Sequence, residues 1–193
     1  MKPTTVVLIT GHPASGKTTL ARYLSKKMGL PTLCKDDIKE ILYDTLGWST
    51  VAWSNKLSIA TWSLLYHQVE ILLEAHIDHI VESNFDPKYA NPHWQRLIQQ
   101  FDLQLIQVRC ESDPAILLER YRERIRLGKR HPGHVDGSDD RAFHKSVQEG
   151  SLDWIEVKSE RISVNTTELA VEDYASVAKR ILEVGSFSSF TRH

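Results

Sequence analysis

Little in this chain of 193 residues points outward to an oxidising or membranous setting. There are only two cysteines, Cys34 and Cys110, too few for a disulfide framework, and each stands near the end of an apolar run as a reduced, half-buried small hydrophobe would. No apolar run approaches the roughly 18 residues that a membrane span needs. The first residues run directly into an apolar strand, so no leader peptide is expected, and the reading is a cytoplasmic protein. Charge of one sign is also missing: 24 Lys and Arg against 25 Asp and Glu leave a net charge of −1. No global field therefore attracts nucleic acid or an anionic surface, and nucleic acid and membrane are not expected as partners. Repeats and linkers are absent too. The expectation is one α/β domain spanning residues 1–193, long enough for a full core. Nothing in the sequence indicates an oligomeric state.

What is present begins with Gly11-His12-Pro13-Ala14-Ser15-Gly16-Lys17-Thr18, directly behind Val6-Val7-Leu8-Ile9. The pattern is G-x-x-x-x-G-K-[ST], the Walker A phosphate loop between a strand and a helix. Gly11 and Gly16 let the backbone turn so that successive N–H groups wrap phosphate oxygens. Lys17 reaches the β- and γ-phosphates of ATP, Thr18 offers its hydroxyl to Mg²⁺, and Thr19 continues the nucleotide-binding stretch. The helix that starts here adds its positive end to the same anion. Leu20, Tyr23, Leu24 and Met28 give that helix an apolar face, and Gly29 ends it.

An acidic pair, Asp36-Asp37, follows a short β-like segment ending at Cys34. Either residue can cap a helix beginning near Ile38. Alternatively, one carboxylate faces the phosphate loop across neighbouring parallel strands and takes the proton of an attacking hydroxyl, or holds Mg²⁺ through water. Asp36 is nearer the strand end and is the candidate base; Asp37 is the cap or an outer metal residue. A long helix is expected from about Ala52 to Ala75. Trp48, Trp53 and Trp62 crowd this region, either as core or as walls of an acceptor pocket, with Trp48 and Trp53 the candidate acceptor contacts.

His79–Val81 forms the next strand, and Glu82-Ser83-Asn84 its exit. Glu82 is a candidate for an outer-sphere magnesium role and Asn84 for orienting the acceptor; an ordinary strand-to-loop turn is the alternative. Asp86-Pro87 and Asn91-Pro92 are read as loop punctuation before a helix from His93 to Phe101. After a fourth strand, Leu103–Cys110, Ser112 or Asp113 caps a helix with Pro114 in its first turn. Arg120, Arg122, Arg124, Arg126, Lys129 and Arg130 then lead into Gly128-Lys129-Arg130-His131-Pro132-Gly133-His134. Such a run is either a solvated face or a lid, at about residues 120–140, whose guanidinium groups close over ATP. Arg124 and Arg130 are the candidates for neutralising the transferring phosphoryl group. His131 and His134 have no third ligand nearby and are not read as a zinc site. An amphipathic stretch from Ala142 to Gly150, a fifth strand with a polar exit over Arg161–Thr167, and a helix from about Val171 to Val184 complete the chain before a frayed Ser-rich tail.

From Val6 to Thr167 this order resembles the P-loop small-molecule kinases, an AAA-type group. The nearest branch is that of polynucleotide kinase, chloramphenicol phosphotransferase and zeta-toxin-type kinases. The resemblance implies a three-layer P-loop NTPase fold, with a five-stranded parallel sheet in the order 2-3-1-4-5 and helices on both faces. It gives Asp36 the role of base for an acceptor hydroxyl. It implies that Arg120 stacks on adenine, that Arg124 meets the phosphates, and that Asn165 to Thr167 border the adenine. The Glu-Ser-Asn exit departs from the Asp that usually marks the Walker B position. The expected activity is ATP-dependent transfer to a hydroxyl of a small molecule. A polynucleotide 5′-hydroxyl kinase and a slow ATP-hydrolysing regulatory module are the alternatives.

Overall fold

The computed structural model describes residues 2–134, 140–148, 152–168 and 171–187. Its strands are β1 (Thr4–Gly11), β2 (Thr32–Cys34), β3 (His79–Glu82), β4 (Leu103–Glu111) and β5 (Glu160–Asn165). The helices are α1 (Lys17–Met28), α2 (Lys35–Leu46), α3 (Val51–Glu74), α4 (Pro87–Gln100), α5 (Pro114–Arg126), α6 (Asp140–Gln148) and α7 (Val171–Val184). The strands form one sheet in the order β2-β3-β1-β4-β5, and every neighbouring pair is parallel. This is the three-layer P-loop fold that the sequence resembles.

Burial of β1 on both faces follows from its uninterrupted apolar run, and its period of two divides the core. Val7 and Ile9 pack with Leu20 and Leu24 of α1 and with Val177 and Ile181 of α7. Val6 and Leu8 point the other way, to Leu65, Val69 and Leu73 of α3 and to Trp94 and Leu97 of α4. A smaller apolar cluster, Leu117, Tyr121, Phe143 and Val147, joins α5 to α6. Among the described residues no helix is long and apolar enough to cross a membrane.

Two boundaries differ from the sequence reading. The helix expected from near Ile38 begins at Lys35. Extended Cys34 occupies its N-cap position, and no side chain bonds the helix end. Because β2 is only three residues long and feeds the helix directly, there is no loop in which an Asp could cap. Asp36 and Asp37 instead lie inside the first turn, where a negative charge meets the positive helix end. The helix expected from His93 begins at Pro87, with Pro92 inside it. Asp86 accepts a bond from the Lys88 amide at 2.9 Å and Pro87 fits the first turn, so helix formation starts before the Asn-Pro pair. Pro92 forfeits only the bond its own N–H would have made one turn back, and burial of Ala90, Trp94 and Leu97 outweighs it. Strand β5 runs to Asn165, and Thr166 and Thr167 form the polar exit that the sequence suggests. Parts of three expectations, lid residues 135–139, helix residues 149–150 and tail residues 188–190, fall outside the described residues.

Candidate active site

The phosphate loop is shaped from beneath. Gly11 has a φ of 149°, and a Cβ there would lie 2.5 Å from the Cys110 carbonyl oxygen and 2.6 Å from Ser15 Oγ. Only glycine fits that space. His12 and Ser15 are buried, and the Ser15 amide donates to the His12 carbonyl at 3.1 Å. Ala14 is left-handed at φ 64° and Gly16 at φ 80°, so the loop curls over the start of α1. Lys17 Nζ donates to the His12 carbonyl at 3.3 Å and stands 3.8 Å from Glu82 Oε1. Pro13 sits at the outer turn of the loop.

Glu82 is carried to this point by register: β3 pairs Glu82 with Ile9 of β1 and with Cys34 of β2. Thr18 Oγ1 donates to Glu82 Oε2 at 3.0 Å. Burial pushes the Glu82 carboxyl above its ordinary range, Lys17 and the Thr18 bond counter it in part, and the Asp36 charge adds to the rise. The Cys34 thiol, itself pushed up chiefly by burial and then by Glu82, also hydrogen-bonds Glu82.

Asp36, half-buried at the start of α2, behaves in the opposite way. Burial pushes its carboxyl up, but Lys35, His134, Lys17 and Arg130 together hold it below the ordinary value. Lys35 Nζ lies 3.4 Å from Asp36 Oδ1. Asp37, in an exposed ion pair with Arg22 at 3.5 Å, lines the same cleft as Asp36. It does not cap the helix.

These groups share one cleft of about 710 Å³, lined by the loop from Gly16 to Thr19 together with Asp36, Glu82, Arg120 and Arg124. Arg120 is fixed from behind, donating to the carbonyls of Thr166 at 2.9 Å and Thr167 at 2.7 Å. Arg130 lies over the Tyr121 ring, its guanidinium carbon 5.9 Å from the ring centre. Asn165 and Thr167 line a neighbouring hollow beyond β5, in which Asn165 Oδ1 accepts from the Thr167 amide at 2.9 Å. The cleft also takes in Lys129, Arg22, Glu40 and Tyr174. Lys129 stood in the basic run; the other three lie on separate elements, and nothing in the sequence links them to the loop.

Residues 131–134, in the stretch expected to form a lid, rest on α2. His131 Nε2 meets Asp44 Oδ1 at 3.1 Å and His134 Nε2 meets Glu40 Oε1 at 3.0 Å. Tyr43 stacks on the His131 ring at 5.2 Å and meets the His134 ring edge-on at 5.3 Å. A Cβ on Gly133 would fall 2.5 Å from the Tyr43 ring, so glycine is required for this approach.

A second cavity of about 950 Å³ opens between α3 and α4, with Lys35, Trp62, Tyr66, Asn84 and Arg96 in its wall. Trp48 and Trp53 are not in that wall. Trp48 is half exposed after α2, and Trp53 Nε1 donates to the Gly47 carbonyl at 2.9 Å, bracing the turn into α3. Trp62 is the tryptophan that faces the cavity, and helical spacing alone could not choose among the three.

The comparisons bear on the family and the fold. A family model described as an AAA domain matches residues 6–148. The chain belongs to that family. Among solved structures, a presumed kinase of Chloroflexus aurantiacus J-10-fl is 30% identical with a TM-score of 0.84, over 95% of this chain and 96% of the other. A sugar kinase of Janibacter sp. HTCC2649 is 16% identical with a TM-score of 0.59, over 95% and 96%. The shikimate kinase of Bacteroides thetaiotaomicron is 17% identical with a TM-score of 0.56, over 93% and 97%. The last two share the fold. No protein with a curated description matches the chain in sequence.

Proposed function

We propose that this chain is an ATP-dependent phosphotransferase that moves the γ-phosphoryl group to a hydroxyl of a small molecule in the cytoplasm. The observation that carries the reading is convergence: Lys17, Thr18, Asp36, Glu82 and Arg124 line one cleft, and Lys35 joins Asp36 to a second cavity able to hold an acceptor. The fold shared with kinases, and the resemblance to the polynucleotide kinase, chloramphenicol phosphotransferase and zeta-toxin branch, support it.

In this reading the amides of Gly11 to Thr19 and the ammonium of Lys17 hold the triphosphate. The Thr18 hydroxyl and the Glu82 carboxylate, 3.0 Å apart, fit a hard cation and would hold Mg²⁺. Held there by Thr18 and Glu82, the ion would supply positive charge against the negative charge of the phosphates. Glu82 takes the place of the usual Walker B acid. Asp36 orients the acceptor hydroxyl; as the oxygen–phosphorus bond forms, the bond from the γ-phosphorus to the bridging oxygen breaks, the hydroxyl proton passes to Asp36, and ADP leaves. Arg124 and Arg130 neutralise the transferring group. Arg120 borders the adenine together with Asn165 and Thr167, and Asn84 orients the acceptor.

The test is acceptor-dependent ADP release with two variants. Asp36→Asn is expected to lower kcat by about 10²–10⁴-fold, the usual contribution of a general base, while keeping the thermal shift given by Mg-ATP. Lys17→Ala is expected to lose that shift. Unchanged phosphorylation in Asp36→Asn refutes the role of Asp36, and ADP release that no acceptor stimulates favours a regulatory ATPase.

A further inference from the structure

Tyr174 lines the cleft, yet no step of the proposed transfer uses it. We infer that Tyr174 is a nucleoside-binding residue, whose ring gives the base of the nucleotide donor a face to stack on beside Arg120. This role rests on the kinase reading above and adds a residue to it.

Tyr174 lies in the first turn of α7, on the stripe that Val177, Ala178 and Ile181 continue into the core. Because β5 is parallel to the other strands and α7 follows it, that first turn lies at the carboxyl end of the sheet, as the phosphate loop does. There the core ends and the cleft begins. Tyr174 is half-buried, and the cleft wall that it joins includes Thr19, Arg22, Arg120 and Thr166.

Among the described residues, Tyr23 of α1 is the one aromatic ring packed against Tyr174, with centres 5.3 Å apart and planes tilted by 33°. Tyr23 braces the ring from the core, and the part that reaches the cleft is open to a ligand. Burial, then Cys110, pushes the Tyr174 phenol up, and the Arg120 charge pulls it back, so the guanidinium acts on this ring.

The polar groups expected near the adenine are largely taken within the protein. Asn165 Oδ1 accepts from the Thr167 amide at 2.9 Å, and Thr167 Oγ1 accepts from the Asp113 amide at 3.0 Å. Thr166 Oγ1 donates to the Glu111 carbonyl at 2.9 Å. The carbonyls of Thr166 and Thr167 accept from Arg120, bonds that use the edge of its guanidinium and leave its flat faces. What remains to hold a base is chiefly flat surface, and among the described residues Tyr174 is the one aromatic side chain in the cleft wall. A purine gains there from stacking.

An analogue without a base isolates this contact. Dissociation constants are measured by calorimetry for Mg-ATP and for Mg-ribose 5-triphosphate, which keeps the sugar and the phosphates. The proteins are the wild type, Tyr174→Ala, Tyr174→Leu and Tyr174→Phe. Tyr174→Ala is expected to weaken Mg-ATP about tenfold, within the range for removing an aromatic ring from under a base, and to leave ribose 5-triphosphate unchanged. Tyr174→Leu keeps an apolar side chain against Tyr23 and the core, so it carries the test should the alanine variant fail to fold; the same selective loss is expected. Tyr174→Phe is expected to keep the wild-type affinity. Unchanged Mg-ATP binding in the leucine variant, a phenylalanine variant as weak as the leucine one, or equal wild-type affinity for the two ligands overturns the inference. So does parallel weakening of both ligands, which would mean that Tyr174 supports the phosphate loop through α1 and touches no base. A wild type that binds neither ligand refutes the kinase reading and this role with it, whereas a wild type that binds Mg-ATP and gives any of the overturning results refutes this role alone.

Discussion

Asp36 and Glu82 line the same cleft, yet their surroundings push them in opposite directions. For both, burial is the largest single influence and opposes ionisation. Around Asp36 the influences of Lys35, His134, Lys17 and Arg130 overcome it; around Glu82 those of Lys17, the Thr18 hydroxyl and the Cys34 thiol do not. The signs follow by linkage. A depressed carboxyl contributes stability that is present above its unfolded value and is lost as pH falls through the folded one. A raised carboxyl contributes stability below its unfolded value, lost as pH rises through the folded one. Burial therefore makes the charged form of Glu82 costly to the fold. Glu82→Gln is expected to raise the melting temperature without nucleotide by about 2–4 °C per kcal/mol of relief, the scale for a chain of this size. The same variant should lower kcat and raise the Mg²⁺ concentration needed for half-maximal rate. A melting temperature that falls would show that pairing with Lys17 outweighs burial. On Asp36 the expectation is a pH profile of kcat/KM that stays flat on its acid side until below the ordinary carboxylate range.

At the scale of elements, α2 does the most. Its first turn carries Asp36; its middle carries Tyr43, whose hydroxyl is 2.7 Å from Ser54 Oγ of α3; and its outer face carries Glu40 and Asp44 under the lid. Gly133→Ala would drive a methyl group into the Tyr43 ring and lift the described tip of the lid off this helix. The expected result is several-fold more ATP hydrolysis without acceptor, because water is less well excluded, and slower acceptor phosphorylation. The ratio of ADP release with and without acceptor measures it. What the sequence showed at this scale was whatever is local. The phosphate loop reads off contiguous residues, and Gly29, Gly47 and Asp113 end or start helices as their types suggest. Asp37 and Pro92 misled about where helices start, because Asp serves equally as cap and as first-turn residue, and a proline early in a helix resembles a loop. The tryptophans were undecidable because Ile59, Leu64 and Ile71 leave apolar groups exposed along α3, so spacing alone does not show which face is covered.

At the scale of the molecule, the strand order places the loop after β1 between Glu82 at the end of β3 and α5, which follows β4. Thr18 and Glu82 meet across 64 residues, and His131 and Asp44 across 87. Pairings over such distances leave no local trace, which is why Tyr174, Arg22 and the histidine contacts could only come from the folded chain. The clasp of Tyr43 between His131 and His134 has a thermodynamic consequence. In the proposed reading α2, against which His131 and His134 rest, also presents Asp36 to the acceptor, so nucleotide and acceptor would bias a common element. Whatever factor a non-hydrolysable ATP analogue applies to acceptor affinity, the acceptor must apply to analogue affinity, since the coupling free energy is reciprocal. Calorimetry on each ligand in the presence of the other should return one factor, different from unity. Tyr43→Ala should bring that factor toward one, leaving two sites that fill without regard to each other.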